Sequence, residues 1–167
     1  AHELGFENIS FVYGDLTSRE FVDKIIRIYK PHTIIHLAAQ PSAPYSQINW
    51  ERAYFTQFNN NLSTLNLLWA LKENNLCNTH FIVTTTTGVY GAPEFEIPEG
   101  FLEVERKDRK DTIPYPGMAG SWYHMSKCND INNLHLANKQ FKIPITDLRT
   151  SIVYGTETKE TILDKDL

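Results

Sequence analysis

The chain has 167 residues, 41% of them hydrophobic and 22% charged, with 16 basic against 20 acidic side chains and a formal net charge of −4. This is the composition of an average globular domain, which excludes disordered, collagenous and coiled-coil readings. The acidic balance speaks against nucleic-acid binding, and no apolar run is long enough to span a membrane. The opening Ala1-His2-Glu3-Leu4-Gly5 has neither a basic region nor an apolar core, so it is not read as a signal peptide; with no initiating Met, a fragment is expected. Cys77 and Cys128 show no metal-ligand spacing and fit a reducing compartment, so no metal is expected.

Along the chain, Ile9 to Tyr13 reads as a short strand ending at Gly14-Asp15. Thr17 then opens a helix, with Glu20 completing a capping box. Phe21, Ile25, Ile28 and Tyr29 recur at helical spacing, and Pro31 stops the run. Thr33 to Leu37 is a second, nearly all-apolar strand, as expected of one covered on both faces. A long helix is expected from about Asn49 to Asn74, through Phe58, Leu62, Leu65, Leu68 and Leu71. His80 to Thr84 is the third strand, Tyr123 to Phe141 the next helix, and Ile145 to Arg149 the fourth strand.

Strand and helix in strict alternation predict βαβ units and a parallel sheet. Ligands on such sheets bind beyond the carboxyl ends of the strands. The stretches to watch are therefore Asp15, Ala38 to Ser42, Thr84 to Gly88 and Thr150 to Gly155. A long insertion, about 91 to 120, interrupts the alternation with Pro93, Pro98, Pro114 and Pro116. Within it, Phe101 to Val104 could pair with Thr112-Ile113 as a small hairpin.

The most specific feature is Tyr123-His124-Met125-Ser126-Lys127 at a helix start. Positions 123 and 127 stand on one helical face, one turn apart. A phenol is a poor base at neutral pH, and a nearby ammonium would pull its pKa down. The bland alternative is an exposed face where a lysine stem lies on a ring. Thr84-Thr85-Thr86-Thr87, before Gly88, offers hydroxyls at a strand end, although threonine also suits strands by propensity. Asn59-Asn60-Asn61 is a poor helix interior. It is read either as part of a site or as a polar face bonding its own backbone. Ala38-Ala39 would let a flat ligand approach the backbone, or would simply pack closely. Asp15 would bind a ligand or cap the following helix.

These motifs fall in the order found in the extended short-chain dehydrogenase/reductase family, which includes NAD-dependent nucleotide-sugar epimerases and dehydratases. The chain resembles that family through Asp15-Leu16, His36-x-Ala38-Ala39, Asn60 before Ser63-Thr64, Thr86 before Val89-Tyr90-Gly91, Tyr123-x-x-x-Lys127, and Val153-Tyr154-Gly155. The fold implied is α/β, a Rossmann-like doubly wound parallel sheet. By that resemblance it would be incomplete here, without the N-terminal βαβ with its glycine-rich loop and the C-terminal substrate domain. Residues 1–167 would be the central part of an NAD-binding Rossmann domain.

Within the family the chain resembles the UDP-sulfoquinovose synthases. Gln40 to Ser46, Gln57-x-Asn59-Asn60, Glu99-Gly100-Phe101, Asp111 to Pro116, Ser121 to Lys127, and Thr158-x-Glu160-Thr161 carry this likeness. The resemblance implies conversion of UDP-glucose and sulfite to UDP-sulfoquinovose through a 4-keto-glucose-5-ene. Sulfite would arrive free or from a donating protein.

Thr86, Tyr123 and Lys127 match the catalytic triad, and His124 matches an acid/base near C5 and C6. Asp15, Leu16, Ala38, Ala39, Gln40, Asn60, Thr84, Tyr123, Lys127 and Val153 match NAD contacts. Thr86, Tyr123, His124 and Thr150 match substrate contacts. At Pro41 the plant and cyanobacterial pattern has Arg, and Thr150 stands where the family places Gln. A UDP-glucose 4-epimerase is the alternative; a 4,6-dehydratase fits less, because Thr87-Gly88 stands where its Asp-Glu pair would be. A catalytically silent NAD-binding protein fits least, since Tyr and Lys are both present. A homodimer is expected of the full-length protein. The expected compartment is the cytoplasm, or the plastid stroma if the source is a plant or alga.

Overall fold

A computed structural model describes residues 8–94, 96–97, 101–114, 117–153 and 155. The elements in order are α1 (Arg19–Tyr29), β1 (Thr33–His36), α2 (Trp50–Glu73), β2 (His80–Thr86), β3 (Phe101–Arg106), β4 (Arg109–Pro114), α3 (Trp122–Phe141) and β5 (Ile145–Thr150). The last parts of the likeness, at Glu99-Gly100, Tyr115-Pro116, Tyr154 and Thr158 to Thr161, lie outside the described residues.

β1, β2 and β5 form a parallel sheet in that spatial order. Its register sets Thr33 beside His80 and Thr86 beside Thr150, so the carboxyl ends of β2 and β5 finish level. The expected α/β architecture with a parallel sheet is therefore present. One core joins Val22 and Ile26 of α1, Leu67, Leu68 and Leu71 of α2, Phe81 and Val83 of β2, and Leu134 and Ala137 of α3. The three helices thus share one face of β2. Each fully buried side chain of this size contributes about 1.5–3 kcal/mol.

Several expectations are corrected. Ile9 to Tyr13 forms no strand: no strand lies beside it among the described residues, and Phe11 and Tyr13 stay 87% and 90% exposed. β1 is not covered on both faces, since Ile35 is 63% exposed. The N-cap of α1 is Ser18, whose Oγ accepts from Phe21 N at 3.3 Å. Thr17 is not the cap; its hydroxyl and its N–H both donate to Asp15 Oδ1 at 2.8 Å. The buried face of α1 is Val22 and Ile26, while Ile28 and Tyr29 face solvent.

The long helix starts at an Asn49 cap and ends at Asn74, as its sequence predicts. Its inward face differs. Between residues 56 and 64 the buried side chains are polar Thr56, Asn60, Ser63 and Thr64, whereas Phe58 and Leu65 point outward.

The insertion holds the expected hairpin, extended to Phe101–Arg106 against Arg109–Pro114. Lys107 and Asp108 both have positive φ, the conformation a two-residue turn needs to match strand twist. The insertion returns where it left. A Cβ on Gly117 would lie 1.6 Å from Val89 O, and one on Gly91 would lie 2.5 Å from Met118 O. Two backbones meet there with no room for a side chain.

Candidate active site

The level ends of β2 and β5 meet the first turn of α3, and that corner collects most of the candidate residues. Ser121 caps α3, its Oγ accepting from His124 N at 3.2 Å. A second hydroxyl reaches the same helix end from a distance: Tyr123 N donates to Ser46 Oγ at 3.0 Å. Ser46 is buried and donates onward to Ala43 O. The loop after β1 is thereby stapled to the turn that carries Tyr123.

Asn60 makes a second tie. Its Oδ1 accepts from Gln40 N at 2.7 Å, and its Nδ2 donates to Gln40 O at 3.1 Å and to Ser126 Oγ at 2.9 Å. Ser126 then donates to Tyr123 O at 2.7 Å. Asn61, by contrast, bonds Gln57 O in its own helix. Asn61 thus bonds its own helix, whereas Asn60 ties three segments together beside Tyr123.

Thr86 ends β2 and caps a short 3₁₀ turn, Thr87–Tyr90, its Oγ1 accepting from Gly88 N at 3.1 Å. Lys127 donates to Thr84 O at 3.2 Å, two residues before Thr86. His124 lies against Gly88, two residues after it: a Cβ there would come within 2.4 Å of the imidazole. Tyr123 precedes His124, with ring centroids 5.2 Å apart. The β2 end is thus bracketed by Lys127 on one side and His124 on the other.

Lys127 is only 4% exposed, which excludes the surface-face reading. Its ammonium nevertheless does not lower the Tyr123 pKa as expected. Burial, with the Asp130 charge, raises that phenol above its ordinary range. Lys127 Nζ itself donates to Thr84 O and lies 3.8 Å from Asp130 Oδ2. Burial lowers Lys127 itself, against the pull of Asp130 and Asp147. Burial also lowers His124, leaving it neutral near pH 7.

The other candidates are placed as follows. Asp15 is spent on Thr17, and Leu16 O accepts from Asn66 Nδ2 at 3.0 Å. Ala38 is exposed, Ala39 half-buried, and Val153 is 80% exposed beyond β5. Gln40 Oε1 accepts from Thr56 Oγ1 at 3.3 Å. Thr150 Oγ1 donates to Thr85 O at 3.4 Å, so its hydroxyl is turned into the sheet.

Sequence reasoning missed Ser46, Ser126 and Asp130. Asp130 carried a readable signal: with Tyr123 and Lys127 it continues one helical stripe. Also missed was a cluster beside the β2 end. Asp147 accepts from the Thr85 hydroxyl and from Arg149 Nε, and Arg149 Nη1 donates to Tyr90 Oη at 2.6 Å.

The chain is 40% identical over 162 residues to the chloroplastic UDP-sulfoquinovose synthase of Spinacia oleracea, covering 96% of this chain and 33% of that protein. It is 38% identical over 156 residues to the UDP-sulfoquinovose synthase of Sulfolobus acidocaldarius, covering 93% and 39%. A probable UDP-glucuronate 4-epimerase of Rhizobium meliloti is 30% identical over 151 residues, covering 90% and 38%. The chain thus spans between 33% and 39% of the length of these curated relatives. Among solved structures, the UDP-glucose 4-epimerase of Thermus thermophilus in complex with NAD superposes with a TM-score of 0.66 at 26% identity, covering 89% and 43%. The UDP-glucuronic acid 4-epimerase of Bacillus cereus, in complex with UDP-glucuronic acid and NAD, gives 0.69 at 25% identity, covering 92% and 42%. The GDP-mannose 4,6 dehydratase family matches residues 2–165, nearly the whole chain. The chain belongs to that family, within the NAD-dependent epimerases and dehydratases.

Proposed function

We propose that this chain is the central part of an NAD-dependent enzyme that converts UDP-glucose and sulfite to UDP-sulfoquinovose through a 4-keto-glucose-5-ene. The observation that carries the reading is the seating of His124 against the Thr86 turn, one residue from Tyr123. C4 oxidation and reduction need one proton-transfer group; removing the 6-hydroxyl needs a second beside it. Identities of 40% and 38% to two UDP-sulfoquinovose synthases support the same conclusion.

The donor set fits NAD. Lys127 has three N–H donors; one goes to Thr84 O and the ammonium also pairs with Asp130 Oδ2 at 3.8 Å, which leaves donor capacity for a ligand. That capacity suits the vicinal hydroxyls of a ribose. Small Ala38 and Ala39 at the β1 end suit a flat ring. Asp15, Leu16, Gln40, Asn60, Thr84 and Val153 would complete the contacts. Bound NAD supplies reversible hydride acceptance at the sugar C4.

The chain's own residues then divide the proton work. Tyr123 takes the proton of the 4-hydroxyl. Thr86 Oγ1 accepts from Gly88 N, which leaves its own proton to donate to the 4-oxygen. Oxidation at C4 acidifies C5–H, and loss of that proton with the 6-hydroxyl creates the alkene and one water. Sulfite adds through sulfur to C6, C5 regains a proton, and C4 is reduced. His124 Nδ1 lies 3.0 Å from Ser121 Oγ, a hydroxyl that serves as donor or acceptor. The ring can therefore present Nε2 as base at C5 or as acid to the departing hydroxyl. Thr150 would contact the substrate from the neighbouring strand end only by turning its hydroxyl away from Thr85 O.

Two partners belong to this proposal: sulfite or a protein that delivers it, and a second copy of the chain. Trp50, Tyr54 and Phe58 stack along the outer face of α2, with centroids 5.2 and 5.7 Å apart, each at least 45% exposed. This is the face proposed for a homodimer. Among the described residues no helix is long and apolar enough to cross a membrane. The proposed compartment is the plastid stroma or the cytoplasm, the spinach relative being named chloroplastic.

The test is to incubate the complete protein with UDP-glucose and labelled sulfite. A UDP-sugar carrying the label is expected; UDP-galactose without label would establish the epimerase reading instead.

A further inference from the structure

The described core of this protein contains a loosely paired carboxylate. Asp130 is 1% exposed, and neither of its oxygens has a hydrogen-bond partner. Its compensation is the Lys127 ammonium at 3.8 Å, an ion pair longer than a hydrogen bond. A buried charge held this loosely costs more in lost hydration than the pairing returns, and a neutral replacement is commonly neutral or stabilising. Asp130 also stands on the stripe of α3 that holds Tyr123 and Lys127, one turn further from the helix start.

The groups around it explain why it is held so loosely. From α2, the Thr64 hydroxyl favours the charged form of Asp130, but it also donates to Asn60 O at 3.2 Å and lies 3.3 Å from His36 Nε2. From β1, His36 is buried and neutral. From β5, Asp147 is engaged by Arg149 and by Thr85 of β2. On α3 itself the charged or titratable neighbours are Lys127 and Tyr123. Asp130 is therefore left to act on the lysine and the phenol.

Resting on the assignment of Tyr123 as the proton acceptor, we propose that Asp130 is a positioning residue: it draws the Lys127 ammonium to the inner side of the site and so sets the pH window in which Tyr123 and Lys127 work together. The carboxylate opposes ionisation of the phenol, being of the same charge, and it favours the charged lysine. With Asp130 in place both groups titrate higher than they would without it. The phenolate side of the window and the ammonium side thus move together, and their separation is preserved.

The test compares Asp130→Asn and Asp130→Glu in the complete protein over a full pH range. Removing the charge moves both limbs of the turnover profile to lower pH by roughly one unit, the size of effect a nearby charge has. Asp130→Glu restores the wild-type limbs, even if its extra methylene lowers the maximum. Phenolate absorbance of wild type minus Tyr123→Phe, followed with pH, gives the same displacement without turnover. A uniform loss of activity in Asp130→Asn with unmoved limbs and an unmoved phenol titration overturns the proposal, leaving Asp130 a packing residue. Undiminished turnover in Tyr123→Phe would instead overturn the catalytic assignment, a separate result. Thermal unfolding confirms that Asp130→Asn is folded.

Discussion

Asn60 Nδ2 and Ser126 Oγ meet at 2.9 Å across the α2–α3 interface, both side chains buried. Through this one contact the Gln40 loop, helix α2 and the Tyr123 carbonyl become a single hydrogen-bonded chain.

Asn60→Ala cuts that chain at its middle. It leaves the Gln40 N–H, the Gln40 carbonyl and the Ser126 hydroxyl without their partner. A loss of about 2–4 kcal/mol is expected from several buried groups left unmatched. Urea unfolding at neutral pH measures it, and a change under about 0.5 kcal/mol, the scale of an ordinary surface substitution, would refute the account.

Tyr123→Phe removes the phenolic oxygen while keeping the ring against His124. In the complete protein, turnover should fall at least about 100-fold, the usual scale for losing a general base, with NAD affinity nearly unchanged. His124→Ala should slow loss of the 6-hydroxyl more than oxidation at C4. It would appear as reduced cofactor absorbance that persists after UDP-glucose is added.

Gly88→Ala asks whether the seat of His124 matters. The added methyl would meet the imidazole at 2.4 Å, so the ring must move while the backbone stays where it is. The expected outcome is a folded protein whose turnover falls several-fold, with a thermal midpoint near that of wild type. Wild-type turnover would show that the ring's contact with the turn is incidental.

Two buried groups make stability respond to acid in opposite senses. Burial, helped by the Lys127 charge, lowers His36 from 6.5 to about 4, so its neutral form favours folding above pH 6.5, a contribution lost as pH falls towards 4. Burial raises Asp130 from 3.8 to about 6, despite Lys127, so its charge opposes folding above pH 6 and ceases to do so as pH falls towards 4. Each amounts to about 3 kcal/mol. Asp130→Asn should therefore be more stable than wild type at pH 7 by up to that amount, and no more stable at pH 4. Chemical denaturation at both values checks the difference; an advantage independent of pH would contradict it.

Tyr54→Glu places a charge within the stack of Trp50, Tyr54 and Phe58. If that face joins two copies, light scattering of the complete protein shows a dimer in wild type and a monomer in the variant. A dimer in both would place the contact elsewhere.

The regular elements were legible because their start and stop signals are local. Asn49, Ser121 and Pro31 act within a few residues, and the caps formed at Asn49 and Ser121. The inward face of α2 was not legible in the same way. Periodicity selects Phe58 and Leu65 as core, but the first half of the helix buries polar groups that tie it to Gln40 and Ser126. Such partners lie some twenty to sixty-six residues away in sequence, and only folding brings them together. The orientation of Lys127 was hidden for the same reason, since Thr84 and Asp130 compete for it from different elements.

The crossing of Gly91 and Gly117 against the opposing backbone has a consequence for how this protein can change. The excursion is closed at its base by this clasp and touches α3 through Phe101, whose ring centroid lies 5.3 Å from that of His135, so its outer turn is free to drift in length and charge. Variation can accumulate there while the proton-handling corner stays as it is. Substituting either clasp glycine, by contrast, would disturb both.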